Sequence, residues 1–353
     1  NAGHHHTFIG NKSVGPSSTY TTLRNNPAST CSGGPLNATA YWEPTVFAKT
    51  PSGAFAPLKP DVVTFYYTHT IGAFSGLNMT RLPRGMAFIG GVNPADPDNA
   101  TRNAEIPAGQ DWMPAYDGFR GWACYNGATN IPVTTGPYAG QSHSRHLKNA
   151  DGTDPWGGTC ISGYQMIAEI NAPDCWDGYN LTSPNGRDHF RYSLKKFAAQ
   201  APKDAKCPDG WWRVPTFEVK TEFSHKGWAD YQYWYLSSDR MDPNPANWRL
   251  NGSTMHFDWM NGWQQDIIDQ WHSQCNGIPT PTGGTPVEKT CGSSTINGTQ
   301  RMIGGMVGEA SPEPTFSNNP VMVIIPLFDK PGPQRYGPAS TGQMDLTVTH
   351  DHN

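Results

Sequence analysis

Histidines near the start of the sequence are the first residues that could do chemistry. His4, His5 and His6 are consecutive and are followed by Thr7. If this segment is a strand, His4 and His6 project from the same face, because side chains alternate along a strand. Two imidazoles on one face can bind a metal ion or act as an acid–base pair. The alternative is a remnant of an affinity tag, which would have no role in the protein.

Another histidine lies beside a carboxylate late in the chain. If residues 255–259 form a strand, His256 and Asp258 share a face. A carboxylate next to an imidazole can fix its tautomer, raise its basicity or help it to hold a metal ion. The pair could equally be structural, with both side chains satisfied by neighbouring backbone groups. The sequence leaves these alternatives open.

A third group of candidate residues lies between residues 173 and 192. His189 and Arg191 have the spacing of one strand face, and either could meet an anionic or hydroxylated ligand. Exposed aromatic rings stack on sugars, although most aromatic rings belong to protein cores. We expect a substrate-binding role for four residues of this segment, which are Trp176, Asp177, Arg191 and Tyr192.

The composition of the chain excludes several classes of function. The 353 residues include 25 Lys and Arg against 29 Asp and Glu, without a long basic block, so we expect no nucleic-acid partner. The longest apolar run, residues 321–325, is far shorter than the roughly 20 residues that a membrane-spanning helix needs. The sequence contains no P-loop, dinucleotide-binding glycine motif, nucleophile elbow or HExxH zinc motif.

Cysteines and glycosylation motifs predict a location outside the cell. The seven cysteines are widely spaced without a CxxC pair, which favours long-range disulfides over a zinc site and leaves one cysteine over. Seven Asn-x-Ser/Thr motifs are potential N-glycosylation sites on surface loops. Their asparagines are Asn11, Asn37, Asn78, Asn99, Asn180, Asn251 and Asn297. We therefore expect a secreted glycoprotein, extracellular or associated with a cell wall, whose signal peptide has been removed.

The elements that must position these residues are predicted to be short strands. The 38 glycines and 32 prolines interrupt the chain every few residues, which disfavours long helices. Strand-like runs occupy residues 41–47, 62–67, 85–89, 164–170, 211–219, 231–236 and 321–325. One helix is predicted over residues 261–272, because apolar residues at positions 263, 267, 268 and 271 share one face. We predict a mainly β fold, an antiparallel β-sandwich or jelly roll with long loops and few short helices.

Two segments have the composition of loops. Residues 92–160 are polar and rich in Gly, Asn and Asp, and residues 276–300 resemble a linker. We therefore predict a boundary near residue 276. It separates a main domain, residues 1–275, from a linker with a C-terminal β segment, residues 276–353, that packs on it.

Several motifs, taken in order along the main domain predicted for residues 1–275, resemble those of one family. They are His4-His5-His6-Thr7, Ser29-Thr30-Cys31, Tyr41-Trp42-Glu43-Pro44-Thr45, Cys175-Trp176-Asp177-Gly178-Tyr179-Asn180-Leu181, Asp188-His189-Phe190-Arg191-Tyr192, Cys207-Pro208 and His256-Phe257-Asp258-Trp259-Met260-Asn261-Gly262-Trp263. The family comprises secreted fungal and bacterial proteins with the domain of unknown function 1996, at times beside WSC cell-wall modules. The resemblance implies an extracellular location, a His/Asp-rich site and a disulfide between Cys175 and Cys207. It implies no established reaction, and Trp259 departs from the family's usual Phe.

Our leading hypothesis from the sequence is an extracellular carbohydrate-active enzyme. It would be a glycan hydrolase or lyase whose partner is a polysaccharide or cell-wall glycan. Its catalytic residues would be His4, His6, His189, His256 and Asp258, gathered in one cleft. Among them, His256 would be the general acid or base and Asp258 would orient it, because proton transfer needs groups that titrate near neutrality.

Two further hypotheses stay open. The first is a non-catalytic cell-wall or glycan-binding glycoprotein, capable of self-assembly, which would explain the glycosylation motifs and the odd cysteine. The second is a metal-binding protein in which copper or zinc, a divalent metal cofactor, is held by His4, His6 and a partner.

Overall fold

The computed structural model describes residues 3–31, 36–68, 80, 82–96, 117–193, 207–224, 230–265 and 267–268, with short strands at 295–296, 299–300, 308–310 and 349–350. The strands are β1 His4–Gly10, β2 Ala40–Pro44, β3 Val46–Lys49, β4 Phe55–Leu58, β5 Val62–Thr68, β6 Ala87–Gly91, β7 Phe119–Tyr125, β8 Asn130–Ile131, β9 Gln165–Asn171, β10 Cys175–Trp176, β11 Phe190–Arg191, β12 Trp212–Arg213, β13 Thr216–Ser224, β14 Tyr235–Leu236, β15 His256–Met260, β16 Thr295–Ile296, β17 Thr299–Gln300, β18 Gly308–Ala310 and β19 Thr349–His350. The described helices are α1 Tyr20–Asn25 and the 3-10 helices Gly136–Tyr138, Tyr231–Tyr233, Ser237–Arg240 and Pro245–Asn247.

Two antiparallel sheets form the body of the protein. The five-stranded sheet has the order β19-β1-β2-β15-β6, and the six-stranded sheet has the order β18-β5-β13-β9-β7-β8. The ring of Tyr41 stacks on Phe65 across the interface, with centroids 3.7 Å apart. Phe217 of the six-stranded sheet also contacts Phe257 and Trp259 of the five-stranded sheet. The prediction of a mainly β, antiparallel sandwich with few short helices is therefore confirmed.

Alternation along the five-stranded sheet separates an apolar inner face from a polar outer face. Tyr41 and Trp259 are opposite each other on neighbouring strands and face the second sheet. Trp42 and Asp258 are also opposite each other. Each is the immediate sequence neighbour of a residue in the first pair, so both point to the other face. Because directly opposed residues share a face, Trp42, Asp258 and His256 lie on the outer face.

One carboxyl group breaks the apolar pattern of the inner face. Glu43 is 2% exposed, and the hydroxyl of Thr221 in the six-stranded sheet donates to its Oε2 over 2.7 Å. Burial raises the pKa of Glu43 to about 7, although the hydrogen bond from Thr221 opposes the shift. Glu43 therefore joins the two sheets by a hydrogen bond inside the core.

The prediction that residues 92–160 are a loop is wrong at β7. This strand pairs with β9 and β8 in the six-stranded sheet, and most of its side chains are buried. A shift in register between Phe119 and Gly121 breaks its alternation, so the sequence lacks the regular period of a strand. β8 has only two residues, which is too short to give a recognisable strand pattern in the sequence, so the β7–β8 hairpin was not predicted.

Other predicted elements are correct only in part. The predicted strand 231–236 begins with the 3-10 helix Tyr231–Tyr233, and the predicted strand 41–47 is divided into β2 and β3. In the predicted helix 261–272, Trp263 forms a bridge with Asn37 and helical structure begins at Gln265. The end of that helix and the predicted strand 321–325 lie outside the described residues.

Two disulfides cross-link the part of the chain that the structure describes. They join Cys124 to Cys160 and Cys175 to Cys207, the second being the pair that the family resemblance implies. Such bonds are typical of proteins from oxidising compartments. Cys31 is buried, while Cys275 and Cys291 lie outside the described residues.

Strands from the C-terminal part of the chain extend both sheets. β18 pairs with β5, and β19 pairs with β1 so that His350 is opposite His4. The boundary near residue 276 lies outside the described residues and stays a prediction. Within the described part of the chain, no helix has the length and apolar character needed to cross a bilayer.

Candidate metal centre

β1 brings two imidazoles to the outer face of the five-stranded sheet. His4 and His6 have ring centroids 4.2 Å apart and are 3% and 0% exposed. His5 lies on the other side of the strand, where its ring meets Phe47 edge-on at 6.0 Å. Alternation along a strand thus puts the first and third histidines together and keeps the second apart.

A third imidazole reaches this pair from β15. The Nε2 atoms of His256 and His4 lie 3.1 Å apart, although 252 residues separate them in the chain. The ring centroids of His256 and His6 are 6.1 Å apart. The hydrogen-bonded register between β15 and β2 ends at Asp258 and Trp42, just short of His256. Beyond this pair, toward His256, β15 is close enough to β1 for the rings of His256 and His4 to contact each other.

A hydrogen bond fixes the tautomer of His256. Its Nδ1 lies 2.8 Å from the carbonyl oxygen of Thr254. A carbonyl can only accept, so in the neutral ring Nδ1 carries the hydrogen and Nε2 presents a lone pair toward His4. This arrangement is the one that a metal-binding imidazole needs, with the second nitrogen held by a backbone carbonyl.

A buried carboxylate holds Thr254 in place. Asp239 Oδ1 accepts hydrogen bonds from the backbone and the hydroxyl of Thr254, at 3.1 and 2.7 Å. Its Oδ2 accepts from the backbone nitrogens of Leu236 and Gly252. Burial raises the pKa of Asp239 to about 6, against the effect of these hydrogen bonds. The chain from Asp239 through Thr254 therefore orients the ring of His256.

Asp258 places a buried carboxyl group next to the imidazoles. Its Oδ2 lies 3.8 Å from His6 Nε2 and accepts no hydrogen bond from the residues that the structure describes. Burial raises the pKa of Asp258 to about 8, and the positive charge of Arg187 opposes this shift. Arg187 is held nearby, because its guanidinium donates to the carbonyls of Gly91 and Val92 at 2.8 and 2.9 Å.

Gly91 allows β6 to pass close to the central histidine. It is opposite His256 in the sheet and has a φ of +88°. A Cβ at this position would lie 2.6 Å from the Cα of His256. Its backbone nitrogen donates to the hydroxyl of Tyr192 over 3.0 Å, and that hydroxyl donates to the carbonyl of Asn171. Tyr192 therefore supports the strand beside the site.

The three imidazoles have the separation of ligands to one ion. Each of His4, His6 and His256 offers a ring nitrogen, and these atoms lie within 4.8 Å of one another. Two nitrogens bound to one zinc ion at tetrahedral geometry are about 3.4 Å apart, from bond lengths of about 2.0–2.1 Å. The 3.1 Å separation between the Nε2 atoms of His4 and His256 is close to this value, and no two of the three ligand atoms are more than 4.8 Å apart.

The structure does not bring His189 to this group, contrary to the expectation of one shared cleft. Its Nδ1 lies 2.9 Å from the hydroxyl of Ser183, and its Nε2 lies 2.8 Å from the carbonyl of Ala87. Ala87 is opposite Met260, at the far end of β15 from His256. The contact between His189 and the carbonyl of Ala87 attaches the 183–189 segment to β6.

Among the residues predicted to bind substrate, Tyr192 contacts Gly91 beside His256, and the other three make contacts around β10. Trp176 forms β10, and its Nε1 donates to the carbonyl of Asn180 over 2.6 Å. Asp177 accepts hydrogen bonds within the following turn. Arg191 donates to the carbonyl of Asp188, and its guanidinium lies over the ring of Trp211. These contacts build the small sheet β11-β10-β12.

The glycosylation motifs differ in exposure. Asn11 and Asn37 are 3% and 0% exposed, and their amides donate to Leu23 and Asn26 and to Tyr41, respectively. Burial leaves little room for a glycan at either position in the folded protein. Asn180 is exposed and Asn251 is half-buried. Asn78, Asn99 and Asn297 lie outside the described residues.

Sequence reasoning missed the residues that support the histidines. Arg187, Asp239, Thr254 and Gly91 come from four separate segments, and none stands in a motif with metal-ligand spacing. The pair Gly90-Gly91 at the end of a predicted strand was the one available signal, because glycine in a strand marks a close backbone approach.

Comparisons with known proteins give a family and no further neighbour. A search of curated proteins and a search of solved structures both found no match. A family model described as a domain of unknown function, DUF1996, matches residues 1–263, which include both histidine-bearing strands. The chain therefore belongs to the DUF1996 family.

Proposed function

We propose that this protein binds a divalent transition-metal ion, copper or zinc, through His4, His6 and His256. The observation that carries the proposal is the convergence of three buried ring nitrogens within 4.8 Å. Imidazole nitrogen is the common protein ligand of both ions, and three such ligands leave one coordination position open.

A buried carboxyl group beside the imidazoles supports a cation, because a bound cation favours its ionised form. Asp258 is a buried carboxyl 3.8 Å from His6, and Arg187 is engaged with backbone carbonyls. Buried charges in proteins are normally compensated by a partner of opposite sign or by a metal ion. A divalent ion among the histidines would give Asp258 such a partner, and Asp258 could also fill the open coordination position.

The support around His256 favours the same conclusion. A histidine that only fills space needs no chain of hydrogen bonds to fix its tautomer. Here Asp239 holds Thr254, and the carbonyl of Thr254 holds Nδ1 of His256. Second nitrogens fixed in this way are typical of metal-binding histidines, since they direct the lone pair at the ion.

Metal analysis of protein produced without an affinity tag or chelating resin tests the proposal. We expect roughly one copper or zinc ion per chain in the wild type. In His256→Ala and His4→Ala, the amount of bound metal should be at least about tenfold lower. His5→Ala is the matched control, because His5 belongs to the same tripeptide but lies on the opposite side of β1. Metal content that is low in the wild type, or equal in His256→Ala and His5→Ala, contradicts the proposal.

A second candidate function is hydrolysis or elimination of an extracellular polysaccharide. The proximity of Asp258 to His6 favours it, because an acid beside an imidazole can transfer protons. The burial of all three histidines is unfavourable, since a polysaccharide must reach a group that acts on it. We therefore place this function, and a non-catalytic cell-wall role, behind metal binding.

Product assays on a panel of polysaccharides separate these roles. Reducing ends or unsaturated products that appear with the wild type and His5→Ala, but not with His256→Ala, would support catalysis. Metal binding without such products would leave the first proposal alone.

A further inference from the structure

The turn after β10 carries exposed aromatic rings and a glycosylation motif, and it does not include the three histidines. We infer that Asn180 carries an N-linked glycan whose first sugar packs against the exposed rings of Tyr179 and Trp212.

The turn that carries Asn180 is fixed by its own hydrogen bonds. Asp177 Oδ1 accepts from the backbone nitrogens of Tyr179 and Asn180, both at 2.9 Å. The indole of Trp176 donates to the carbonyl of Asn180 over 2.6 Å. These contacts set the direction in which the Asn180 side chain leaves the turn, so an attached sugar begins at a defined place.

Exposed apolar side chains are concentrated around this turn. Tyr179 is 87% exposed and Trp212 is 50% exposed. Together with Leu181 they are three of the six large hydrophobic side chains exposed in the described part of the chain. A cluster of this kind on a protein surface normally marks a contact site.

The indole of Trp212 lies directly against the turn. Gly178 has a φ of +85°, and a Cβ there would lie 2.6 Å from Cδ1 of Trp212. The strands beneath are held by the Cys175–Cys207 disulfide and by the ion pair between Asp174 and Arg213, at 2.8 Å. The platform is thus a rigid part of the fold, formed before any sugar is present.

Asn180 is the acceptor with the best access in the described part of the chain. Asn11 and Asn37 are buried and Asn251 is half-buried, whereas Asn180 is exposed. The motif Asn180-Leu181-Thr182 is complete, and Thr182 is exposed.

The modification is a glycosyl transfer from a polyisoprenyl-diphosphate oligosaccharide. A bond forms between Nδ2 of Asn180 and C1 of the sugar, while the bond from C1 to the diphosphate oxygen breaks with its electron pair. Nδ2 loses one proton, and the lipid diphosphate departs. The remaining N–H can still donate to Asp177 Oδ2, which accepts from Nδ2 over 2.7 Å in the unmodified chain.

A sugar matches the platform chemically. A pyranose presents a face of C–H groups, and aromatic side chains offer a flat apolar surface with a polar edge. Because Tyr179 directly precedes the acceptor, the first sugar can cover its ring without a long linker. The glycan would then shield apolar surface that otherwise faces water.

The test uses full-length protein from a eukaryotic secretory host. Glycopeptide mass spectrometry should find Asn180 modified in the wild type and unmodified in Thr182→Ala. Loss of the glycan should raise binding of an apolar dye and lower the thermal midpoint by roughly 2 °C. Ser253→Ala, which removes the Asn251 motif away from this platform, should leave dye binding unchanged.

A second background separates the platform from the glycan alone. The second background is Trp212→Ser, or Tyr179→Ser if Trp212→Ser does not fold. In this background, Thr182→Ala should lower the thermal midpoint by less than half of the decrease that it causes in the wild type. An unmodified Asn180 in the wild type, or an equal decrease in both backgrounds, overturns the inference. The wild type could also lack the Asn180 glycan and change its tryptophan fluorescence when oligosaccharides are added. That result would assign the platform to an external sugar and would likewise overturn the inference.

Discussion

The outer faces of the two sheets both carry buried polar clusters, and the clusters differ in how their charges are balanced. On the six-stranded sheet, Glu169 contacts Arg120, Lys220 and His143 at 2.6, 3.1 and 3.1 Å. Burial tends to raise the pKa of Glu169, but the hydrogen bond with His143 and the positive charges of Arg120 and Lys220 outweigh this effect and lower the pKa to about 2. This cluster contains its own counter-charges.

On the five-stranded sheet, the cluster instead consists of groups that donate lone pairs. His4, His6 and His256 converge beside Asp258, whose carboxyl has its pKa raised by burial to about 8. A buried polar cluster is a candidate binding site when its groups are all of one kind and lack a complementary partner. In the first cluster, basic side chains neutralise the carboxylate. In the second, the ring nitrogens and the carboxyl group are all potential ligands, and a cation would be their complementary partner.

Removal of metal gives the largest expected difference between the two clusters. A bound ion at 1,000 times its Kd stabilises the fold by about 4 kcal/mol, so a chelator should lower the thermal midpoint by roughly 10 °C. Calorimetry should find this decrease in the wild type and in Glu169→Gln, and no decrease in His256→Ala. An equal decrease in His256→Ala would place the ion elsewhere.

Glu43 on the inner face should respond to pH in the opposite direction from Glu169. Its folded pKa of about 7 lies above the ordinary 4.5, so its contribution to stability is fully present below pH 4.5 and is lost as pH rises through 7. Glu43→Gln should therefore raise the free energy of unfolding at pH 8 by about 3 kcal/mol and change it little at pH 4. Urea denaturation at the two pH values measures both. A loss of stability at pH 8 would contradict the assigned burial effect.

Gly91 tests how closely the backbone must approach the histidine site. Gly91→Ala should cost about 2 kcal/mol more than Gly53→Ala, because the added methyl group meets the backbone of His256. Gly53 is the matched control, with the same φ of +88° and no atom within 4 Å of its Cβ position. Equal unfolding free energies for the two variants would show that β6 relaxes.

Glu169→Gln should have the smallest effect. Arg120 is 45% exposed, so solvent screens the cluster and the expected loss is about 1 kcal/mol. The folded pKa lies below the ordinary value, so this stabilisation is present above pH 4.5 and is lost as pH falls toward 2. The difference in unfolding free energy should therefore shrink between pH 5 and pH 3. A difference that is constant over this range would indicate a packing effect.

The sequence was sufficient to predict the histidines and the aspartate of the site, but not the residues that support them. The type and spacing of His4 with His6, and of His256 with Asp258, were sufficient to place each pair on one strand face, because the period of a strand is two. The same spacing argument applied to His189, whose ring instead bonds to Ser183 and Ala87. Spacing gives the face of a local segment and contains no information on which segments are neighbours.

The sequence by itself determined the β-rich class, the phase of the strands and the chemistry that their faces offer. Only the tertiary structure decided that β1 and β15 flank β2 and meet beyond Pro44, which brings together histidines 252 residues apart. It also decided that Asn11 and Asn37 are buried while Asn180 is exposed. The physical reason is that sheet order and burial depend on contacts between distant segments, whereas residue type and alternation are properties of each segment alone.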